Sequence, residues 1–375
     1  MKWLKRLVLL VLTVAVVVGA GGWWGYTKLV EPYRGYDAAE VFVDIPGGSG
    51  PGRIGERLVA AGVVRDTWTF RAALMLSGRA RALKAGEYRF DTPMHALDVI
   101  EKIARGDVYT RLLTFREGLT IVEMAQVFED KGFGTAAAFT AAAANASLIA
   151  DLDPDARDLE GYLFPETYSL PRQTPATEVV AQMVKGFRDR LTPEMLSSAK
   201  AGGLTVRQFV ALASLVEKET GTPEERPIVA AVYRNRYRIR MPMQADPTVI
   251  YALQKAGKYN GNLTRQHLRE FDSPYNTYMY PGLPPGPIAS PGQASLAAAA
   301  HPADVDYLYF VSKNDGSHVF ASTLAEHNRN VFTWQVEYFR KLRRQQASAT
   351  GERGSARPRG AQRSFHFNFC RSTSK

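Results

Sequence analysis

A single cysteine, Cys370, stands among 375 residues. No intramolecular disulfide can form, and no cysteine-based metal site is available. That scarcity does not exclude an extracytoplasmic setting, because a large domain folds without bridges. Histidine is also scarce, with six residues. The spacing of His301, His318 and His327 matches no metalloenzyme pattern, so no metal is expected. A Gly-rich phosphate loop is missing, since Pro46–Gly52 departs from both the Walker and the Rossmann forms. No nucleophile-elbow serine occurs either. The reaction, if there is one, is expected to need no cofactor. Charge is lacking where the total suggests it: residues 341–375 hold nine Lys/Arg against one Glu, a net +8 of the chain's +10. The body is nearly neutral, and nothing in it asks for a nucleic-acid partner.

Long apolar runs are confined to the N-terminus. Leu7–Trp24 carries no charge, and 18 helical residues span about 27 Å, close to a bilayer core. Lys2, Lys5 and Arg6 precede the run and predict a cytoplasmic N-terminus, while Trp23, Trp24 and Tyr26 suit the far interface. A cleaved signal peptide ending near Val18-Gly19-Ala20 is the competing reading. Either way the remainder is exported.

Beyond a polar linker, Val41–Ile45 and Glu87–Phe90 read as strands. They enclose helices over Ile54–Ala61, closed by Gly62, and Thr67–Leu76. Helices are also predicted over Pro93–Ala104 and Thr120–Lys131. Aligning Gly62 with Gly132 places Leu58 on Phe128 and Ile54 on Met124, a weak strand–helix–helix repeat. A domain boundary is expected in the acidic, proline-containing stretch Asp151–Asp158. Helices follow over Glu178–Arg190, Thr192–Ala199, Thr205–Thr220, Glu224–Tyr237, Ala294–His301 and Leu324–Leu342. Strands flank an Asn314-Asp315-Gly316 turn, a hairpin signal. Residues 343–375 are basic and poor in apolar side chains, and disorder is expected there.

The run Leu215-Val216-Glu217-Lys218-Glu219-Thr220 puts carboxylates into the end of an otherwise apolar helix. Thr205 and Gln208 predict a capping box at its start. At about 100° per residue, Glu217 shares a side with Val206, Val210 and Ala213, whereas Glu219 falls with Gln208, Leu212 and Leu215. A carboxyl on an apolar face is raised in pKa and can serve as a proton donor. The competing reading is a salt-bridged residue, with Lys218 and Arg226 near in sequence. Phase favours Glu217 only because its row is more uniformly apolar.

Three further segments mix aromatic and polar residues in a manner that suits a polysaccharide groove. They are Leu159–Tyr168 (with Glu160 and Glu166), Met243–Tyr251 (with Gln244 and Asp246), and Ser273–Ile288 (with Tyr275, Asn276 and Tyr278). Packing of such loops on the core is the plain alternative. The motifs LEGYLFPETY at Leu159–Tyr168, ASLVEKET at Ala213–Thr220, QADPT at Gln244–Thr248, YNTY at Tyr275–Tyr278 and GLPPGPIASPG at Gly282–Gly292 occur in one order. With AAAHPA and YLYFV inside Ala298–Val311, they give the chain a resemblance to the endolytic murein transglycosylases, the YceG-like family, over residues 1–340.

That resemblance implies an α+β protein with an N-terminal transmembrane helix, a small LysM-like α+β domain and a larger α+β catalytic domain. The implied divisions are a cytoplasmic 1–6, an anchor at 7–24, a glycan-binding region at 41–155, a catalytic domain at 156–342 and the tail at 343–375. It implies a single pass through the inner membrane with the bulk in the periplasm, peptidoglycan strands as substrate, and peptidoglycan synthases as candidate partners. It implies Glu217 as catalytic acid, cleaving the MurNAc–GlcNAc bond to leave a 1,6-anhydro-MurNAc end and so terminating nascent strands. Glu160, Glu166, Gln244, Asp246, Tyr275, Asn276 and Tyr278 are then candidates to hold or orient the glycan. A muramidase that uses water and a non-catalytic glycan-binding scaffold are the alternatives.

Overall fold

A computed structural model describes residues 2–351. The chain divides into two compact units, one running to Leu113 and taking in Tyr168–Thr174, the other formed by Thr114–Thr167 and the chain from Pro175 onward. The division therefore falls earlier than the acidic stretch at Asp151–Asp158. The physical reason is that the helices of residues 121–143 pack on one another and on the helix that begins at Ala176.

The first unit opens with α1 (Lys2–Val30), longer at both ends than the uncharged run alone. Its Arg6–Val30 portion is long and apolar enough to cross a membrane, and near its end Leu29 joins the core of this unit. Strand β1 (Val41–Ile45), α2 (Pro51–Ala60), α3 (Thr67–Ser77) and β2 (Gly86–Phe90) follow, then α4 (Ala96–Arg105). β1 and β2 pair antiparallel, Val41 opposite Phe90 and Ile45 opposite Gly86. Asp66 caps α3 by accepting the Thr69 N–H at 2.8 Å. Val43, Ile45, Leu58, Phe70, Tyr88, Phe90, Val99 and Ile103 form the core. Each large side chain so buried contributes about 1.5–3 kcal/mol. The Tyr88 hydroxyl is satisfied by the carbonyls of Lys84 and Ile103 at 2.9 and 3.2 Å.

Strand β3 (Arg111–Thr114) leads into α5 (Ile121–Asp130) and α6 (Ala136–Ala143), and β4 (Thr167–Leu170) pairs with β3. The repeat legible in the sequence recurs here as strand–helix–helix–strand. Gly62 and Gly132 take nearly the same left-handed conformation, φ 69° and 68°. In each case the next residue returns a hydrogen bond to the helix, Val63 N–H to Leu58 and Phe133 N–H to Phe128. Without a Cβ, glycine adopts this helix-ending turn at little cost.

The second unit is mostly helical: α7 (Ala176–Arg190), α8 (Pro193–Ala201), α9 (Val206–Glu219), α10 (Arg226–Arg238), α11 (Asp246–Lys255), α12 (Arg265–Glu270) and α13 (Gln293–Ala300). The hairpin of β5 (Tyr309–Ser312) and β6 (His318–Ala321) turns through Asn314 and Gly316, both at positive φ. Helix α14 (Leu324–Val331) passes through a π-helical stretch, Phe332–Glu337, into α15 (Tyr338–Gly351). The final helix thus extends into the tail expected to be disordered, and the rest of that tail lies outside the described residues. Helix α9 is central, packed by α8, α10, α11 and α13. The Ala298–Ala300 run of α13 is buried, and its small side chains let the two helices approach closely.

Candidate active site

Helix α9 is fixed before it reaches any chemistry. Thr205 and Gln208 complete the capping box, and every residue from Phe209 to Val216 is buried. Ser214 donates to the Ala211 carbonyl at 2.7 Å and accepts the Ile288 N–H at 3.1 Å. Thr220 closes the helix on the Val216 carbonyl. Glu217 and Glu219 therefore emerge together in the last turn, where the negative end of the helix dipole opposes a carboxylate charge. They enter different surroundings.

Glu217 points to the loop Arg116–Leu119, with which it lines a cleft of about 270 Å³ that also takes in Glu123 and Lys218. Its Oε2 accepts the Gly292 N–H at 3.0 Å, and Arg226 Nη2 lies 3.7 Å from Oε1. Gly292 is the N-cap of α13. An amide at a helix N-terminus and a guanidinium are both suited to a charged carboxylate. Glu117 stands beside this arrangement, its carboxyl raised by burial and by the Glu217 charge against the pull of Arg226. Lys218 donates to the Gly118 carbonyl at 3.2 Å.

Glu219 enters a recess of about 30 Å³, water-sized, walled by Tyr233 and Arg236 of α10, Gln244, Asp246 and His318 together with the apolar Met243, Phe310 and Val311. Burial, then the Asp246 charge, pushes its carboxyl up to about 8, against Arg236 and a hydrogen bond with Tyr233. Asp246 is the first residue of α11 and accepts the Tyr278 hydroxyl at 2.5 Å. Gln244 sits at φ 49°, a left-handed conformation unusual for a residue with a side chain. Its N–H is tied to the Thr277 carbonyl at 3.2 Å. Strain of this kind concentrates at functional sites. Arg236 is fully buried, with Nε and Nη1 on the carbonyls of Leu308 and Met243, both at 2.6 Å, and Nη2 without a partner.

Of the residues expected to hold glycan, Gln244, Asp246 and Tyr278 come together with Glu219. Glu160 lies elsewhere in the unit, buried at the start of α5, where it accepts the Ile121 N–H at 3.1 Å and the Tyr251 hydroxyl at 3.2 Å. Burial and Asp158 push it up to about 8. Tyr275 packs on Tyr251, ring centroids 5.0 Å apart, and lines a cavity of about 510 Å³ with Glu160, Arg157 and Arg207. Glu166 is bound to Arg190 at 2.9 Å. Asn276 is fully buried and donates to the carbonyls of His267, Leu268 and Phe271 while accepting the Tyr278 N–H. It organises the loop that carries Tyr278. Tyr233 and Arg236 of the Glu219 recess went unremarked in the sequence, as did Glu225, which holds His318, for none of them stands in a motif. His301, His318 and His327 do not gather, and among the described residues no three His, Cys, Asp or Glu side chains form a metal-ligand group.

A raised carboxyl beside a second, charged carboxylate is an arrangement that general acid–base chemistry can use. The chain belongs to the YceG-like family, whose family model matches residues 43–333. It is 34% identical over 328 residues to a Bacillus subtilis protein named endolytic murein transglycosylase, covering 82% of this chain and 89% of that one. A Streptococcus pneumoniae D39 protein of the same name is 32% identical over 359 residues, 87% of this chain and 65% of the relative. This chain therefore spans about two thirds of the pneumococcal protein's length. The crystal structure of a yceG-like protein from Listeria monocytogenes superposes with a TM-score of 0.52 at 30% identity, covering 77% of this chain and 98% of that one.

Proposed function

We propose that this chain is an endolytic murein transglycosylase that cleaves the MurNAc–GlcNAc bond inside peptidoglycan strands and leaves a 1,6-anhydro-MurNAc end, so ending strand growth. The observation that carries the reading is the Glu219 carboxyl, held at about 8 in a recess beside Asp246 and Gln244. Near neutral pH it is protonated and can donate to the glycosidic oxygen. The Asp246 charge then faces the oxocarbenium-like centre at C1, and the sugar's own C6 hydroxyl closes on C1 in place of water. The recess is too small for a sugar, so the glycan lies across its mouth. Gln244 and Tyr278 orient substrate or hold Asp246.

Glu217 is the acid implied by the motif resemblance and weakly favoured by helical phase. Its contacts to Gly292 and Arg226 suit a carboxylate that anchors the N-terminus of α13, and for that reason we assign the donor to Glu219. A second reading rests on the Glu117–Glu217 neighbourhood: two carboxylates across a cleft can activate water and give a muramidase. The apolar α1 is read as a single-pass inner-membrane anchor, N-terminus inside. The β1–α2–α3–β2 unit is read as a LysM-like glycan-binding module in the periplasm, with Glu160, Glu166, Tyr275 and Asn276 as more distant supports of the glycan surface. Peptidoglycan synthases are the partners such a role would require.

The test is digestion of purified sacculi by the full-length protein in detergent, with mass spectrometry of the products. Anhydro ends from the wild type and from Glu217→Gln, but not from Glu219→Gln, support the assignment. Loss in Glu217→Gln alone returns the acid to Glu217, and reducing ends mean that water attacks.

A further inference from the structure

His318 lies on β6, outside every motif that carries the proposed reaction, yet it lines the same recess as Glu219 and Asp246. Its backbone N–H donates to Glu225 Oε1 at 2.9 Å, and its Nδ1 lies 2.7 Å from Glu225 Oε2. Both carboxylate oxygens of one residue are thus spent on another. The imidazole also meets Phe310 edge to face at 5.3 Å and Phe320 at 6.3 Å. A carboxylate on Nδ1 fixes the tautomer with its proton there and leaves the Nε2 lone pair as the acceptor. Nε2 has no partner among the described residues and is not sealed from solvent. A ring held this firmly, with one nitrogen satisfied and the other free at a recess, has the form of an oriented base.

We propose that His318, aligned by Glu225, is the base that receives the C6 hydroxyl proton, so that donation and acceptance are divided between Glu219 and His318. The inference rests on the lyase reading given above. Glu219 gives its proton to the glycosidic oxygen as the C1–O4 bond breaks, and the GlcNAc leaves with a free 4-hydroxyl. The C6 oxygen forms the new bond to C1, its proton passes to Nε2, and Glu225 balances the imidazolium charge. After release, the imidazolium gives a proton to solvent and Glu219 takes one from it. Water is neither consumed nor produced.

The test counts anhydro ends released from sacculi by full-length protein in detergent. His318→Ala should lower kcat on the order of 100-fold or more, with KM within about 3-fold of wild type. Added imidazole should restore part of that turnover, because a free base can occupy the vacated space. Glu225→Gln should lower kcat about 10-fold and leave the protein's thermal midpoint little changed. If His318→Ala does not fold, His318→Gln and Glu225→Gln carry the same test. A folded His318 variant with more than a third of wild-type kcat overturns the proposal, and so does one that is inactive and unresponsive to imidazole. A wild type that yields only reducing ends, or none, overturns the lyase reading itself and is recognised before any variant is made.

Discussion

Glu219 and Asp246 share one recess, and the Asp246 charge, added to burial, holds the Glu219 carboxyl at about 8. The two come from different helices, one at the end of α9 and one at the start of α11. Each terminus favours the state its residue is in: a C-terminal turn disfavours a carboxylate, and an N-terminal turn welcomes one. Placed together, they divide protonated acid from charged partner.

An alkaline limit on activity follows. A donor must carry its proton, so kcat/KM on glycan should fall as the pH rises through about 8. Glu219→Gln should lose on the order of 1,000-fold in kcat. Steady-state release of anhydro ends across pH 6 to 10 measures both.

Asp246→Asn removes the second largest cause of the Glu219 shift. The alkaline limb should move to lower pH, since burial alone raises the carboxyl less. A limb that stays at about 8 would mean that Asp246 does not set it. The variant's rate at pH 6, compared with wild type, reports separately on the part Asp246 plays at C1.

Much of this was legible in the sequence, and the residues that were not show where the signal fails. The capping box at Thr205 and Gln208 and the turn at Asn314–Gly316 depend on local chemistry and stand where expected. Helical phase leaned to Glu217 on a slightly more apolar row, a weak guide because α9 is buried on every side from Phe209 to Val216. Helix α11 was hidden by its Asp-Pro start, which reads as a loop although proline suits the first helical turn. Asn276 looked like a rim residue because its Pro- and Tyr-rich loop resembles one. Its three carbonyl partners come from a helix that the sequence did not reveal and from Phe271, the residue that ends it.

Gly292 separates the two candidate acids by geometry. A Cβ there would lie 1.8 Å from Glu117 Oε1. In Gly292→Ala, the Glu117 side chain must swing away from Glu217, disturbing the cleft around Glu217 and sparing the recess of Glu219. The variant should keep wild-type kcat within about 3-fold. A much larger loss, with an unchanged thermal midpoint, would place the chemistry at Glu217.

Asp153 anchors a buried cluster remote from the recess. It accepts the Tyr162 hydroxyl at 2.6 Å and both Nε and Nη2 of Arg207 at 2.9 Å. Its side chain is 5% exposed and that of Arg207 24%. Asp153→Ala strands a largely buried guanidinium and should cost about 3 kcal/mol, the lower end for a broken buried pair because Arg207 retains some solvent. Urea denaturation measures it.

Stability should also depend on pH through two carboxyls. Glu160 and Glu219 are both pushed up to about 8 in the fold, from an ordinary value of 4.5. The folded state therefore holds their protons more tightly than the unfolded chain does. The stability they confer is whole below pH 4.5 and is lost as pH rises through 8, levelling off beyond it. The urea midpoint of the full-length protein should fall over that window. Glu160→Gln keeps an acceptor for the Ile121 N–H but has no proton to lose, so its midpoint should fall less steeply over the same window. An unchanged slope would mean that Glu160 is charged in the native protein and that Ile121 and Tyr251 outweigh its burial.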